Sequence, residues 1–149
     1  MEELKKIKFI VIHHSNREVD SLERIKDLHV RINGWNDIGY HYLISNGKIT
    51  EDGKVYPGRS ERVVGAHVFG HNKNSISICL IGNLDKNPPT KKQLQSLIKF
   101  LKQKTRKYNI LVKNILGHNE FKGVAKSCPG KFLDVNEIRK EILRLNPKS

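Results

Sequence analysis

Eight consecutive residues, Ser75 to Gly82 (SISICLIG), carry no charge in a chain where 29% of residues are charged. So little polar character in so short a run suits a strand covered on both faces, and the segment reads as the centre of a sheet. Lys8 to His14 (KFIVIHH), rich in β-branched residues, reads as a second buried strand, and Leu111 to Leu116 as another. Helical patterns lie between them. Asp20 with Glu23 suits a helix start, and Leu22, Ile25, Leu28/His29 and Ile32 recur at helical spacing until Asn33-Gly34. Thr90 with Gln93 forms a capping box before Leu94, Leu97, Ile98 and Leu101, a helix expected to run to about Lys107. Asp134 with Glu137 opens a last helix whose Val135, Ile138, Ile142 and Leu145 face inward, with Pro147 as its stop. Asn46-Gly47 predicts a hairpin joining strands at Tyr40–Ser45 and Lys48–Thr50, and Asp52-Gly53 a second turn before a short strand near Val55-Tyr56. Strands alternating with helices predict an α/β fold: a central mixed β-sheet flanked by about three helices. Without repeats or linkers, residues 1–149 read as a single domain.

Composition narrows the functional classes. The longest uninterrupted aliphatic or aromatic run, Phe9 to Ile12, is far below the ~20 residues a membrane-spanning helix needs. Two cysteines cannot form the disulfide framework of a small secreted protein. Met1 to Lys6 has no hydrophobic stretch or cleavage site behind it, so synthesis and retention in a reducing cytoplasm are expected. A net charge of +13 (28 Lys and Arg against 15 Asp and Glu) fits an anionic partner such as a wall polymer or membrane surface, and equally a lysine-rich composition. No RNA-recognition, helix-turn-helix or zinc-finger pattern is present, so no nucleic-acid partner is expected.

The placement of reactive residues is more selective. Seven histidines are many for this length. His13 and His14 end the first strand, His118 follows the strand at Leu111–Leu116, and Cys128 sits in the loop Ala125–Gly130. Two imidazoles and one thiolate make three ligands for a tetrahedral Zn²⁺ whose fourth position stays open to water, the pattern of a catalytic site. Strand alternation puts His13 and His14 on opposite faces, so only one of them can serve.

The segments IHHS (12–15), GWNDIGYHYLI (34–44), GAHVFGHNKNSISICLIG (65–82), LGHNE (116–120) and AKSCPG (125–130) together resemble the zinc-dependent N-acetylmuramoyl-L-alanine amidase family. That family includes the T-odd phage lysozymes and the peptidoglycan recognition proteins, and the likeness is to compact phage endolysins made of the catalytic domain alone. The resemblance implies one Zn²⁺ held by His13, His118 and Cys128, with His14 as the rival for the first position. It implies catalytic roles for Tyr40 and Lys126, and places His67 and, in the same loop, Asn72 along the substrate groove. The stretch Asn119–Ser127 departs from the phage pattern in length and composition. The implied activity is hydrolysis of the amide between N-acetylmuramic acid and the L-alanine of the stem peptide, by a monomer acting on bacterial peptidoglycan. The enzyme would wait in the host cytoplasm and reach the wall after release. A non-catalytic peptidoglycan-binding module, or a regulator of a polymerase or of nucleic acid, is the alternative. Of the remaining candidates, Cys79 reads as a small buried hydrophobe without a disulfide, His41 and His71 as structural or solvated, and Trp35 and Tyr42 as core or groove-wall aromatics. Glu120 is either a partner of His118 or a surface acid.

Overall fold

The computed structural model describes residues 1–124 and 126–146. Five strands form one mixed sheet in the order β3-β2-β4-β1-β5: β1 (Phe9–His14), β2 (Tyr42–Ile44), β3 (Val55–Pro57), β4 (Ser75–Leu80) and β5 (Ile115–Gly117). β1 lies between β4 and β5 and runs parallel to both, β2 is parallel to β4, and only β3 is antiparallel. Strands β1 and β4 are buried along almost their whole length, as their uncharged sequences require.

The two faces of the sheet differ in what they carry. Ile10, Ile12, Ile44, Ile76, Ile78 and Leu80 point to the face covered by α2 (Lys91–Lys107) and α3 (Val135–Leu145), where Leu97, Leu101, Ile138 and Ile142 complete the main core. The opposite face carries Val11, His13, Cys79 and Leu43, and is covered by α1 (Leu22–Asp27) and by loops. With the main core on one side, the other is free to display polar side chains at the carboxyl ends of the parallel strands.

The capping box of α2 is present, and Gln93 also fastens the helix to two strand ends, its side-chain amide donating to the carbonyls of Ile44 (3.1 Å) and Ile81 (2.8 Å). Asp134 caps α3 through the Glu137 N–H, while Pro147 lies outside the described residues. Three elements depart from expectation. The first helix is capped by Ser21, because buried Asp20 is committed to Arg24 at 2.6 and 3.0 Å, and it widens into a π-helical turn over Leu28–Ile32. The strand expected at Leu111–Leu116 narrows to β5 behind a 3₁₀ turn at Val112–Asn114. Lys48–Thr50 forms no strand: Asn46 Oδ1 accepts from the Lys48 N–H, and Ser45 Oγ binds both Gly47 and Thr50, so side chains satisfy the backbone that a hairpin would pair. β2 pairs with Val55–Pro57 in its place.

Glu61 links the loop after β3 to α2, receiving Lys104 at 2.8 Å and Lys107 at 2.9 Å. Burial alone would raise this carboxyl, but hydrogen bonds from Lys104, Lys107 and Tyr108 outweigh it and hold the pKa at about 2, against an ordinary 4.5. The folded protein takes up this proton at lower pH than the unfolded chain. The stabilisation is therefore complete above about pH 4.5 and is lost as pH falls toward 2. Glu61→Gln should remove about 1–2 kcal/mol at neutral pH, a solvent-screened value, and leave acid unfolding measurably shallower across that window. Parallel acid-unfolding curves that differ by a constant offset would contradict this.

Candidate active site

A cleft of about 750 Å³ opens at the carboxyl ends of β1 and β5. His13 occupies its floor as the penultimate residue of β1, 1% exposed. His118 starts the 3₁₀ turn that follows β5, and Cys128 sits in the loop beyond it. One donor atom from each of His13, His118 and Cys128 lies within 4.8 Å of the others, a grouping that can hold a metal ion. The Cys128 Sγ is 3.6 Å from His13 Nδ1 and accepts the backbone N–H of His14 at 3.4 Å. His14 itself turns away from this group, its Nδ1 accepting the Leu84 N–H at 3.0 Å.

Two loops hold Cys128 in place. Asn119 N–H donates to the Cys128 carbonyl at 2.7 Å, and Asp85 grips the cysteine loop on both sides, taking Ser127 Oγ at 2.5 Å and Lys131 N–H at 3.0 Å. Gly130, at φ 108°, lets this loop press against Leu84, where a Cβ would stand 2.5 Å from Leu84 Cβ. The Cys128–Pro129 bond is cis. Glu120 accepts from Gly117 N–H and from Arg139, both at 2.8 Å, so it anchors the turn carrying His118 and reaches α3.

Burial lowers the His13 pKa well below its ordinary value, and the neighbouring His67, His118 and His14 add to the effect. His118 is lowered by burial and then by the charge of Lys126. Both rings are thus neutral near pH 7, with lone pairs to offer. Burial pushes the Cys128 thiol up to about 11 against the opposing His14 N–H and Lys126.

Tyr40 stands beside this group, its ring centroid 5.1 Å from that of His13. Burial, and then the thiols of Cys79 and Cys128, hold its hydroxyl well above the ordinary phenol range, so it keeps its proton. The Tyr40 segment is fixed by Arg59, a buried arginine that donates to the carbonyls of Ile38 (2.9 Å), Val64 (2.8 Å) and Asp37 (3.0 Å). Lys126 is exposed at the cleft edge. His67 lines the cleft and meets His13 Nε2 at 3.1 Å. Asn72 lies on the same wall, but its Oδ1 is occupied by the N–H groups of His67 and Val68, both at 2.9 Å, so it braces the loop.

Trp35 belongs to the groove wall, next to His29 at 4.7 Å between rings, whereas Tyr42 is a core residue against Phe100 on the other face of the sheet. His41 is fully buried and structural, bonded to Val63 O and Ser77 N–H. Both cysteines are free thiols. Sequence reasoning passed over Arg59, His29, Asp85 and Phe69. The last is 99% exposed on the cleft rim beside Gly70, and a large aromatic between two apolar-to-small residues carries no periodic signal.

Comparison with known proteins agrees with this architecture. The family model described as N-acetylmuramoyl-L-alanine amidase (Amidase_2) matches residues 3–131. The endolysin of Escherichia phage T7 is 39% identical over 114 residues, covering 70% of this chain and 70% of that protein. Peptidoglycan-recognition protein SC2 of Drosophila melanogaster is 33% identical over 142 residues, covering 89% and 73%. Among solved structures, the N-acetylmuramoyl-L-alanine amidase LysC from Clostridium intestinale superposes with a TM-score of 0.82 at 31% identity, covering 92% of this chain and 85% of that one. The fold is that of the peptidoglycan amidase and recognition-protein class. The chain belongs to the N-acetylmuramoyl-L-alanine amidase family, enzymes that hydrolyse peptidoglycan.

Proposed function

We propose that this chain cleaves the amide between the lactyl group of N-acetylmuramic acid and the L-alanine of the stem peptide, with one Zn²⁺ held by His13, His118 and Cys128. The observation that carries the reading is the convergence of two neutral imidazoles and a sulfur within 4.8 Å on the floor of an open cleft. The donor set fits the ion. Tetrahedral zinc with sulfur at about 2.3 Å and nitrogen at about 2.0–2.1 Å separates those two donors by about 3.6 Å, and Cys128 Sγ stands 3.6 Å from His13 Nδ1. Bound there, zinc supplies a Lewis acid that polarises the scissile carbonyl and acidifies a water.

The chain's own residues supply the rest. Tyr40, protonated and beside His13, donates a hydrogen bond to the carbonyl oxygen as negative charge grows on it. Lys126, exposed on a long side chain that can follow the substrate, stabilises the same charge or supplies a proton to the departing L-alanine amine. Trp35 and Phe69 flank the groove, and Phe69 gives the sugar or the stem peptide an apolar surface to cover. Residues 1–149 act as one catalytic domain, and a charge of +13 draws it to an anionic wall, an attraction that salt weakens. The endolysin relatives support a lytic enzyme made inside the host cell and released to the wall.

On a soluble muramyl peptide, Tyr40→Phe should lower kcat about 100-fold with little change in KM, the cost of one donor to the developing charge. A variant within about threefold of the parent kcat would remove Tyr40 from the chemistry. Phe69→Ala should do the reverse, raising KM about fivefold while kcat stays within about twofold, because it removes binding surface only. An unchanged KM would mean that the ring does not meet the substrate.

A further inference from the structure

Three groups in a row behind His13 leave only one arrangement of protons. Ser75 Oγ lies 2.7 Å from the His71 carbonyl and 3.2 Å from His67 Nε2. A carbonyl can only accept, so the single hydroxyl proton of Ser75 goes to His71, and Ser75 can then only accept from His67. His67 therefore carries its proton on Nε2 and presents a bare Nδ1. That Nδ1 lies 3.1 Å from His13 Nε2. A neutral His13 must donate there, which puts its proton on Nε2 and leaves the lone pair on Nδ1, the atom 3.6 Å from Cys128 Sγ.

We infer that His67, oriented by Ser75, is a positioning residue that fixes the tautomer of His13 so that Nδ1 is aimed at the Cys128 sulfur and free to bind a metal. The inference rests on reading His13 as a metal ligand and adds to the placement of His67 along the substrate groove. The opposite tautomer would put an N–H on Nδ1, facing the sulfur and blocking the ligand position. Among the described residues, the partners of the row fit this assignment throughout. Cys128 Sγ accepts the His14 N–H at 3.4 Å and, as a thiol, has its own proton to give to the bare His13 Nδ1. Ser75 is fully buried, at the start of β4 and paired in register with Phe9 of β1, so the row is built into the sheet rather than into a loose surface. A ligand histidine whose second nitrogen is held in this way is better oriented and more basic.

Long-range proton–nitrogen correlation spectra of the ¹⁵N-labelled, metal-free protein report which nitrogen of His13 is protonated, and competition with a chelator of known affinity reports the zinc Kd. His13 protonated on Nε2 is expected in the parent, and a mixture of tautomers in His67→Ala. His67→Ala should raise the zinc Kd roughly 10–100-fold. His67→Asn, whose Oδ1 restores an acceptor near the lost Nδ1, should recover most of that loss, and Ser75→Ala should fall between the two. A parent His13 protonated on Nδ1 would overturn the inference. So would a folded His67→Ala protein that binds zinc within about twofold of the parent. A parent that takes up no zinc would overturn the metal reading instead, while its metal-free tautomer still decides the role of His67.

Discussion

Cys128→Ala is expected to lose amide hydrolysis by about a thousandfold or more while remaining folded. The thiol is a buried side chain in a loop, 9% exposed, and truncating it removes only the sulfur, with it the acceptor of the His14 N–H, so the cost in stability is about 1–2 kcal/mol. The loop itself is held by other bonds. Asp85 binds Ser127 and Lys131, and Asn119 donates to the Cys128 carbonyl, none of which uses the sulfur. What disappears is one of three donors, which leaves two imidazoles to hold the ion and no anionic ligand. Zinc content measured on the purified variant should fall together with activity. An active Cys128→Ala enzyme would show that the metal, if used, is held elsewhere.

Arg59→Met is expected to destabilise the fold by about 3–5 kcal/mol, a drop in Tm of about 10 °C or more for a chain of this size. The guanidinium donates to three carbonyls from two separate loops, at Asp37, Ile38 and Val64, and methionine leaves all three without that donor. Burial lowers the arginine's own pKa, an effect partly offset by Asp37, so the charge is kept in place by hydrogen bonds more than by a carboxylate partner. Because the backbone of Arg59 also donates to the Tyr40 carbonyl at 2.8 Å, the variant that survives should lose activity beyond its loss of stability. Arg59→Lys keeps the charge but not the three-way fork and should recover only part of either. Thermal unfolding shifted by less than about 2 °C would contradict the assignment.

These two residues also mark what the sequence makes legible and what it does not. Local rules read the strands at Phe9–His14 and Ser75–Leu80 and the caps at Thr90 and Asp134, because apolar runs and side-chain caps act over a few residues. The period-two alternation of β1 likewise separates His13, on the cleft face, from His14, bonded to Leu84. Arg59 gives no such signal. Its partners come from both sides of it in the chain, and nothing in its neighbours distinguishes a buried arginine from a solvated one. The hairpin at Asn46-Gly47 fails for a related reason: of the pair only Gly47 takes a positive φ, so the type I′ turn does not form, and Ser45 and Asn46 claim the backbone that should have paired. His67 and Ser75 reveal their connection only once the loop after β3 is folded against the start of β4.

The most direct measurement is digestion of purified peptidoglycan by the untreated, chelator-stripped and zinc-restored enzyme, counting new L-alanine amino termini and new reducing sugar ends in the same samples. Amino termini of L-alanine should appear with the untreated enzyme, vanish on stripping and return with zinc, while reducing ends stay at background. Reducing ends in place of amino termini, or undiminished amide cleavage after the metal is gone, would contradict a zinc amidase built on His13, His118 and Cys128.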